Sequence, residues 1–205
     1  MGSPSHGGSM QHVRRTPLAT RTLWDWGLVK YRLDVVALSV ADAVKHAGGW
    51  LFDRATAGWE VTVLIPGAAD DTPLRILGAE LASLDDALAT GGRGRTPHAI
   101  AMAAGICLRE PMASEGLHLA LLDRGLEVVV WGEYTPPGSA ELLSPVEYRL
   151  SMAARAFKTR AMKAAGLAVL AGPVEDFRSG ATVHAPIPTD LGPAGPWPAA
   201  TPIDR

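Results

Sequence analysis

Residues 34–65, DVVALSVADAVKHAGGWLFDRATAGWEVTVLI, constrain the fold more than any other part of the chain. Asp34 to Ser39 is a short β-branched run ending in a small polar residue, the form of a strand buried in a parallel sheet. From Asp42 to about Ala57 the apolar residues Val44, Ala47, Leu51 and Ala55 recur at threes and fours, which predicts a helix. Gly58 stands where that helix should stop. WEVTVLIPG, residues 59–67, reads as a second strand closed by Pro-Gly. Strand, helix and strand in so short a span make a β-α-β unit, whose crossover is right-handed in almost every sheet.

The same reading extends along the chain. LRILGA, residues 74–79, is expected as a third strand, and Ser83 with Asp86 resembles a capping box for a helix through Leu88. Thr96 as N-cap and Pro97 in the first turn predict a helix to Leu108. A further helix is expected from Met112 to Asp123, and LEVVVWG at 126–132 as a strand. Ser144-Pro145-Val146-Glu147 carries an N-cap, a first-turn proline and a capping-box acid, so a helix is expected from there to Gly166, with Val146, Leu150, Ala153, Phe157, Ala161 and Ala164 as its apolar stripe. The segments 51–67 and 121–138 share the order helix end, Asp-Arg, Gly, strand and loop, as two similar αβ units would.

The expected fold class is α/β, a Rossmann-like three-layer sandwich with a small, mostly parallel sheet. Residues 1–20 open on MGSPSHGGSMQH and read as a disordered segment or cloning scar, and 21–171 as a single α/β domain. Residues 172–205 hold seven of the sixteen prolines and few charges, which predicts a disordered or extended tail with no central strand.

Composition excludes classes rather than choosing one. A net charge of −2 gives no general attraction to nucleic acid or anionic membrane. Uncharged apolar runs such as AIAMAAGICL at 99–108 are half the ~20 residues of a membrane helix. The one cysteine, Cys107, forms no intrachain disulfide and supports no cysteine-based zinc site, which fits a reducing cytoplasm. Arg14-Arg15 is followed by Arg21, Asp25, Lys30, Arg32 and Asp34 where a twin-arginine export signal needs an apolar core.

In parallel α/β sheets, ligands bind at the carboxyl ends of strands where strand order reverses. Ser39 and Asp42 follow the first strand, and Pro66 to Thr72 follow the second, so one crevice is expected to hold them. The series Ser39-Val40-Ala41-Asp42-Ala43, His46-Ala47-Gly48-Gly49-Trp50-Leu51, Gly58 and Glu60-Val61-Thr62-Val63 resembles the opening of the N-acetylglucosaminyl deacetylase family, the PIG-L or LmbE group. That resemblance implies a Rossmann-like fold and a zinc site whose first strand ends in His-Pro-Asp-Asp, with the His and the second Asp as ligands and the first Asp as general base. Here the ligand His falls on Ser39 and the base on Ala41, so only the second Asp is kept, as Asp42. His98 is the nearest candidate for the family's later His ligand, without the surrounding acidic pattern. Because a catalytic zinc needs about three protein ligands and an open position, no metal site and no cofactor is expected.

His46, His98 and His118 have no His-x-His or His-x-x-x-His spacing. Gly48-Gly49 inside a helix costs about 1 kcal/mol per glycine relative to alanine, which close packing against a neighbour would explain. The loop GGRGRTP places Arg93 and Arg95 before the expected helix at Thr96, where free amides and the dipole favour an anion. With Ser39, Asp42, Thr96 and His98 these arginines form the expected ligand site, for a small anionic ligand. No Gly-x-Gly-x-x-Gly or Gly-Lys-Ser/Thr supports a nucleotide. Ser39 lacks a Gly-x-Ser-x-Gly elbow, and Cys107 has only Arg109 as a basic neighbour.

Arg149, Arg155, Lys158, Arg160 and Lys163 avoid the apolar stripe of the expected helix 145–165 and form a positive face. Trp24 and Trp26 are core anchors or part of an oligomer contact. These residues lead to the expectation of a cytoplasmic, non-catalytic Rossmann-like binding or regulatory protein, a pseudoenzyme. Two alternatives are a divergent metal-dependent N-deacetylase of a small amino-sugar conjugate and a protein-interaction module using the basic helix 145–165; a protein partner or a homo-oligomer is the expected macromolecular contact. Neither membrane nor nucleic acid is an expected partner.

Overall fold

The computed structural model describes residues 30–90, 96–123, 125–168, 170–180 and 190–193. Trp24, Trp26, Arg93, Arg95 and the expected N-terminal segment therefore lie outside the described residues.

β1 (Arg32–Val36), α1 (Val40–Thr56) and β2 (Glu60–Ile65) form the expected unit, with β1 and β2 parallel and Leu33 opposite Val61. Ser39 caps α1 by accepting from the Asp42 amide at 3.1 Å, and Gly58 follows the helix with φ +93°, the left-handed stop that glycine allows. Alternation in β1 buries Leu33 and Val35 completely on one face and leaves Asp34 and Val36 half-buried on the other.

Next come α2 (Thr72–Ile76), β3 (Glu80–Ser83) and α3 (Leu84–Ala89). LRILGA is thus not the third strand. Asp70 accepts from the amide and hydroxyl of Thr72, Pro73 suits a first turn, and Gly78 at φ +76° ends the short helix. The strand begins only at Glu80. Ser83 caps α3 through the Asp86 amide, as its spacing predicts.

β4 (Ala99–Ala103) stands where a helix from Thr96 to Leu108 was expected, and only Ala104–Leu108 coils, as a 3-10 turn. A short apolar run does not by itself separate a buried strand from a buried helix. Here the pairing with β1 and β5 decides, and it starts when His98 donates its amide to the Arg32 carbonyl at 2.9 Å. α4 (Pro111–Leu122) and β5 (Glu127–Trp131) follow close to expectation.

The signal at Ser144 misleads. Residues Leu143–Arg149 form β6, and the helix, α5 (Met152–Ala164), begins at Ser151, whose hydroxyl accepts from the Ala154 amide at 3.0 Å. Val146-Glu147-Tyr148-Arg149 alternates apolar and polar as a strand does, and Pro145 lies just outside the two-residue pairing of β6 with β8, so its missing N–H breaks no bond there. The buried stripe of α5 is Ala154, Lys158, Ala161 and Met162; Ala153 and Phe157 are exposed, and Lys158 leaves the positive outer face for the interior.

Past Pro173, β7 (Val174–Gly180) inserts between β5 and β6, antiparallel to both, and β8 (Gly192–Pro193) adds to β6. The expected absence of a central strand there does not hold, because VEDFRSG precedes the proline-dense part and alternates cleanly, burying Glu175, Phe177 and Ser179. The sheet order is β3-β2-β1-β4-β5-β7-β6-β8. Its first five strands are parallel in the doubly wound order, and the reversal lies between β1 and β4. α1, α2 and α5 pack together in one layer, while α3 and α4 flank the sheet face that carries Asp34 and Val36.

Candidate functional site

At the reversal point, the turn from β1 into α1 brings Ser39, Asp42 and His46 together under the end of β5. Asp42 sits in the first turn of α1. Its Oδ2 accepts from the Leu38 amide at 3.2 Å and from Trp131 Nε1 at 3.4 Å, and its Oδ1 lies 3.0 Å from His46 Nδ1. Burial alone would raise the Asp42 carboxyl, but hydrogen bonds from His46, Leu38 and Trp131, with the charge of His46, outweigh it and hold the pKa below the ordinary aspartate value.

His46 lies one turn further, so the spacing Asp42-x-x-x-His46 puts both on one helix face. Its Nδ1 is within 3.1 Å of two acceptors, the Asp42 carboxylate and the Asp42 carbonyl. In the neutral form of the ring Nδ1 therefore carries the proton, and Nε2 is then an acceptor. The His46 side chain is 35% exposed and that of Asp42 15%, so the imidazole reaches solvent over a shielded carboxylate. Beside them the loop after β5 is tied down by Arg178, which donates to the carbonyls of Gly132 and Tyr134 at 2.8 and 2.6 Å and to the Thr135 hydroxyl.

Of the residues singled out from sequence, Ser39 and Asp42 meet. Thr96 and His98 do not join them. His98 stands at the amino-terminal end of β4, where its Nδ1 accepts from the Arg32 amide at 3.2 Å and its ring meets Tyr31 edge-on, so it faces the opposite end of the sheet. Thr96 leads into the strand β4 and not into the expected helix. His46 was readable from its spacing to Asp42. Trp131 and Arg178 carry no local signal, since their contacts span 89 residues to Asp42 and 44 to Tyr134.

The zinc site of the resembled family does not fit these residues. Ser39 and Ala41 replace a ligand and the base, both Asp42 oxygens already have partners, and His98 lies across the sheet. Among the described residues no three His, Cys, Asp or Glu side chains stand close enough to share a metal ion. A pyrophosphate is no better served, because the Leu38 amide is taken by a carboxylate.

The middle of α1 is fixed from the other side. Glu175 of β7 is buried, pairs with Lys158 Nζ at 2.6 Å, and accepts from the amides of Gly49 and Trp50 at 2.7 and 2.9 Å. Burial pushes its pKa up, against the Lys158 ammonium and the two amides. At the end of α1, Arg54 lies between Trp50 and Trp59 and bonds Glu127 and Asp190.

These features define a Rossmann-like α/β protein with an oriented Asp–His pair at the reversal point of its sheet. No protein-family model and no curated protein matches the chain. Solved structures similar to it include the A40926 pseudoaglycone deacetylase Dbv21, at 19% identity over 70% of this chain and 86% of that one, with a TM-score of 0.47. A triple mutant of the deacetylase Orf2 from the teicoplanin biosynthetic pathway is 16% identical over 64% and 80%, with a TM-score of 0.49. The zinc-inhibited form of teicoplanin deacetylase Orf2 is 16% identical over 64% and 82%, with a TM-score of 0.46. Likeness at this level says nothing of chemistry, and the fold description rests on the sheet order itself. No helix among the described residues is long and apolar enough to cross a membrane.

Proposed function

We propose that the protein binds a small hydroxyl- or ammonium-bearing molecule at the reversal point, with His46 Nε2 accepting a hydrogen bond from it. The observation that carries this reading is the fixed Nδ1–Asp42 contact, which leaves one outward acceptor above a carboxylate held ionised. That polarity favours donors and cations over anions, and so moves the reading away from the anionic ligand expected at Arg93 and Arg95. Ser39, exposed beside the pair, keeps its hydroxyl proton for a ligand oxygen, since its oxygen serves the Asp42 amide.

A thermal-shift and calorimetry panel of glucosamine, galactosamine and inorganic phosphate tests it. An amino sugar should stabilise the protein, and His46→Ala should abolish the effect. Stabilisation by phosphate alone, or binding that survives His46→Ala, would reject the reading.

A second reading, hydrolysis of an N-acyl group on an amino sugar, is favoured by one feature: an oriented proton acceptor stands one helical turn beyond Asp42, the one acid of the resembled motif that the chain keeps. Release of acetate from N-acetylglucosamine that rises with pH and disappears in His46→Ala would support it. Release unchanged in that variant would end it.

A further inference from the structure

Helices α3 and α4 do not close over the sheet face beneath them. Between Leu88 of α3 and Met112 and Gly116 of α4 lies a slot of about 270 Å³, floored by Val36, Leu64 and Ile100. Among the described residues its one charged group is Asp34, already paired with Arg32 Nε at 2.7 Å, so the described lining calls for no counter-charge.

Gly116 lines the gap from α4. It lies inside α4, where glycine costs about 1 kcal/mol relative to alanine. Other glycines have a visible reason: an added Cβ would stand 2.2 Å from Leu150 at Gly49 and 2.9 Å from Leu121 at Gly180. At Gly116, which is exposed and lines the slot, a Cβ would meet no described residue within 4 Å, and φ is not positive. Neither packing nor backbone conformation accounts for it. What the missing side chain does is keep the slot wide, one turn from Met112, whose flexible thioether chain is 58% exposed at the same wall.

We propose that this slot is a binding site for a short, uncharged aliphatic chain. Its volume is nearly twice the ~150 Å³ of a dry apolar cavity that takes up benzene, and lies just below the ~300 Å³ at which small-molecule pockets usually begin. Aliphatic floor and wall, paired charge and an adaptable methionine match an alkyl chain without a charged head. The inference does not rest on the His46 site.

The test uses the full chain with N-phenyl-1-naphthylamine, a neutral apolar fluorophore, and 1-octanol and 1-decanol as competitors. Saturable one-to-one binding, displaced by the alcohols, is expected. Gly116→Leu, which fills the slot, should weaken binding at least tenfold without lowering Tm. Ala87→Met fills it from α3 and should do the same, which covers a failure of the first variant to fold. No saturable binding, or undiminished binding in a folded filled variant, overturns the proposal. So does a dimer in light scattering that Gly116→Leu dissociates, since a second copy would then be the occupant.

Discussion

Replacing Gly49 by alanine asks why a helix would carry two adjacent glycines. In an unconstrained helix interior the change gains about 1 kcal/mol. Here the new Cβ would stand 2.2 Å from Leu150 Cδ2, 2.4 Å from Leu150 Cγ and 3.2 Å from Glu175 Oε1. Leu150 has little room, being 9% exposed, with its amide bonded to the Pro173 carbonyl at 3.0 Å. Relief therefore requires α1 to move off β7, which stretches the bonds from Gly49 and Trp50 to Glu175. Overpacking costs about 1–3 kcal/mol, and weakened hydrogen bonds to a charged acceptor add about 1–2 kcal/mol. After the propensity gain the variant should lose about 2 kcal/mol. At about 2–4 °C per kcal/mol for a chain of this size, Tm should fall by about 4–8 °C. Gly48→Ala is the control: its Cβ meets Lys158 Cγ at 3.3 Å and Leu77 Cδ1 at 3.4 Å, side-chain atoms that need give only slightly. It should stay within about 1 kcal/mol of the parent. Circular dichroism melts and urea titrations read both. A Gly49→Ala protein as stable as the parent, or a Gly48→Ala protein that is the weaker of the two, would refute the reasoning.

Glu175→Ala strands the buried Lys158 ammonium and should cost about 3–5 kcal/mol in urea unfolding, whereas Glu175→Leu combined with Lys158→Met should cost less than either single change. Asp42 has a folded pKa below its ordinary 3.8, so its stabilising contribution is complete above that value and is lost as pH falls through the folded pKa. In urea titrations below about pH 4, Asp42→Asn should therefore show a shallower loss of stability than the parent; parallel slopes would mean that the carboxylate is not held by its neighbours.

Legibility followed the range of the interactions. The first crossover was readable because β1, α1 and β2 announce themselves locally, through a β-branched run, a helical period and a glycine stop. The same kind of signal failed at Ser144, where a capping-box pattern also fits an alternating strand, and at residues 99–108, where small apolar residues fit either structure. In both places the decision comes from partners distant in sequence: β7 claims Leu143–Arg149, and β1 with β5 claims Ala99–Ala103. The candidate site divides in the same way. Asp42 and its one-turn neighbour His46 belong to one helix face, while Trp131 and Arg178 reach the site only through the sheet.

The glycine pair joins the two levels. Its cost in helix propensity pointed to close packing, but the partner came from a segment whose composition argued against a central strand. Glu175 takes the amides of Gly49 and Trp50, so β7 holds α1 near its middle, three residues beyond His46. At 1.5 Å per helical residue, that clamp acts about 4.5 Å along the axis from the imidazole. Ser39 and the Leu38–Asp42 bond hold the same helix at its start. A helix fixed at both places has little freedom to rotate or slide, so the direction of His46 Nε2 is set by contacts on either side of it. The antiparallel extension β6–β7 is thus part of what positions the reversal-point pair, although it contributes no group to the Asp–His contact itself.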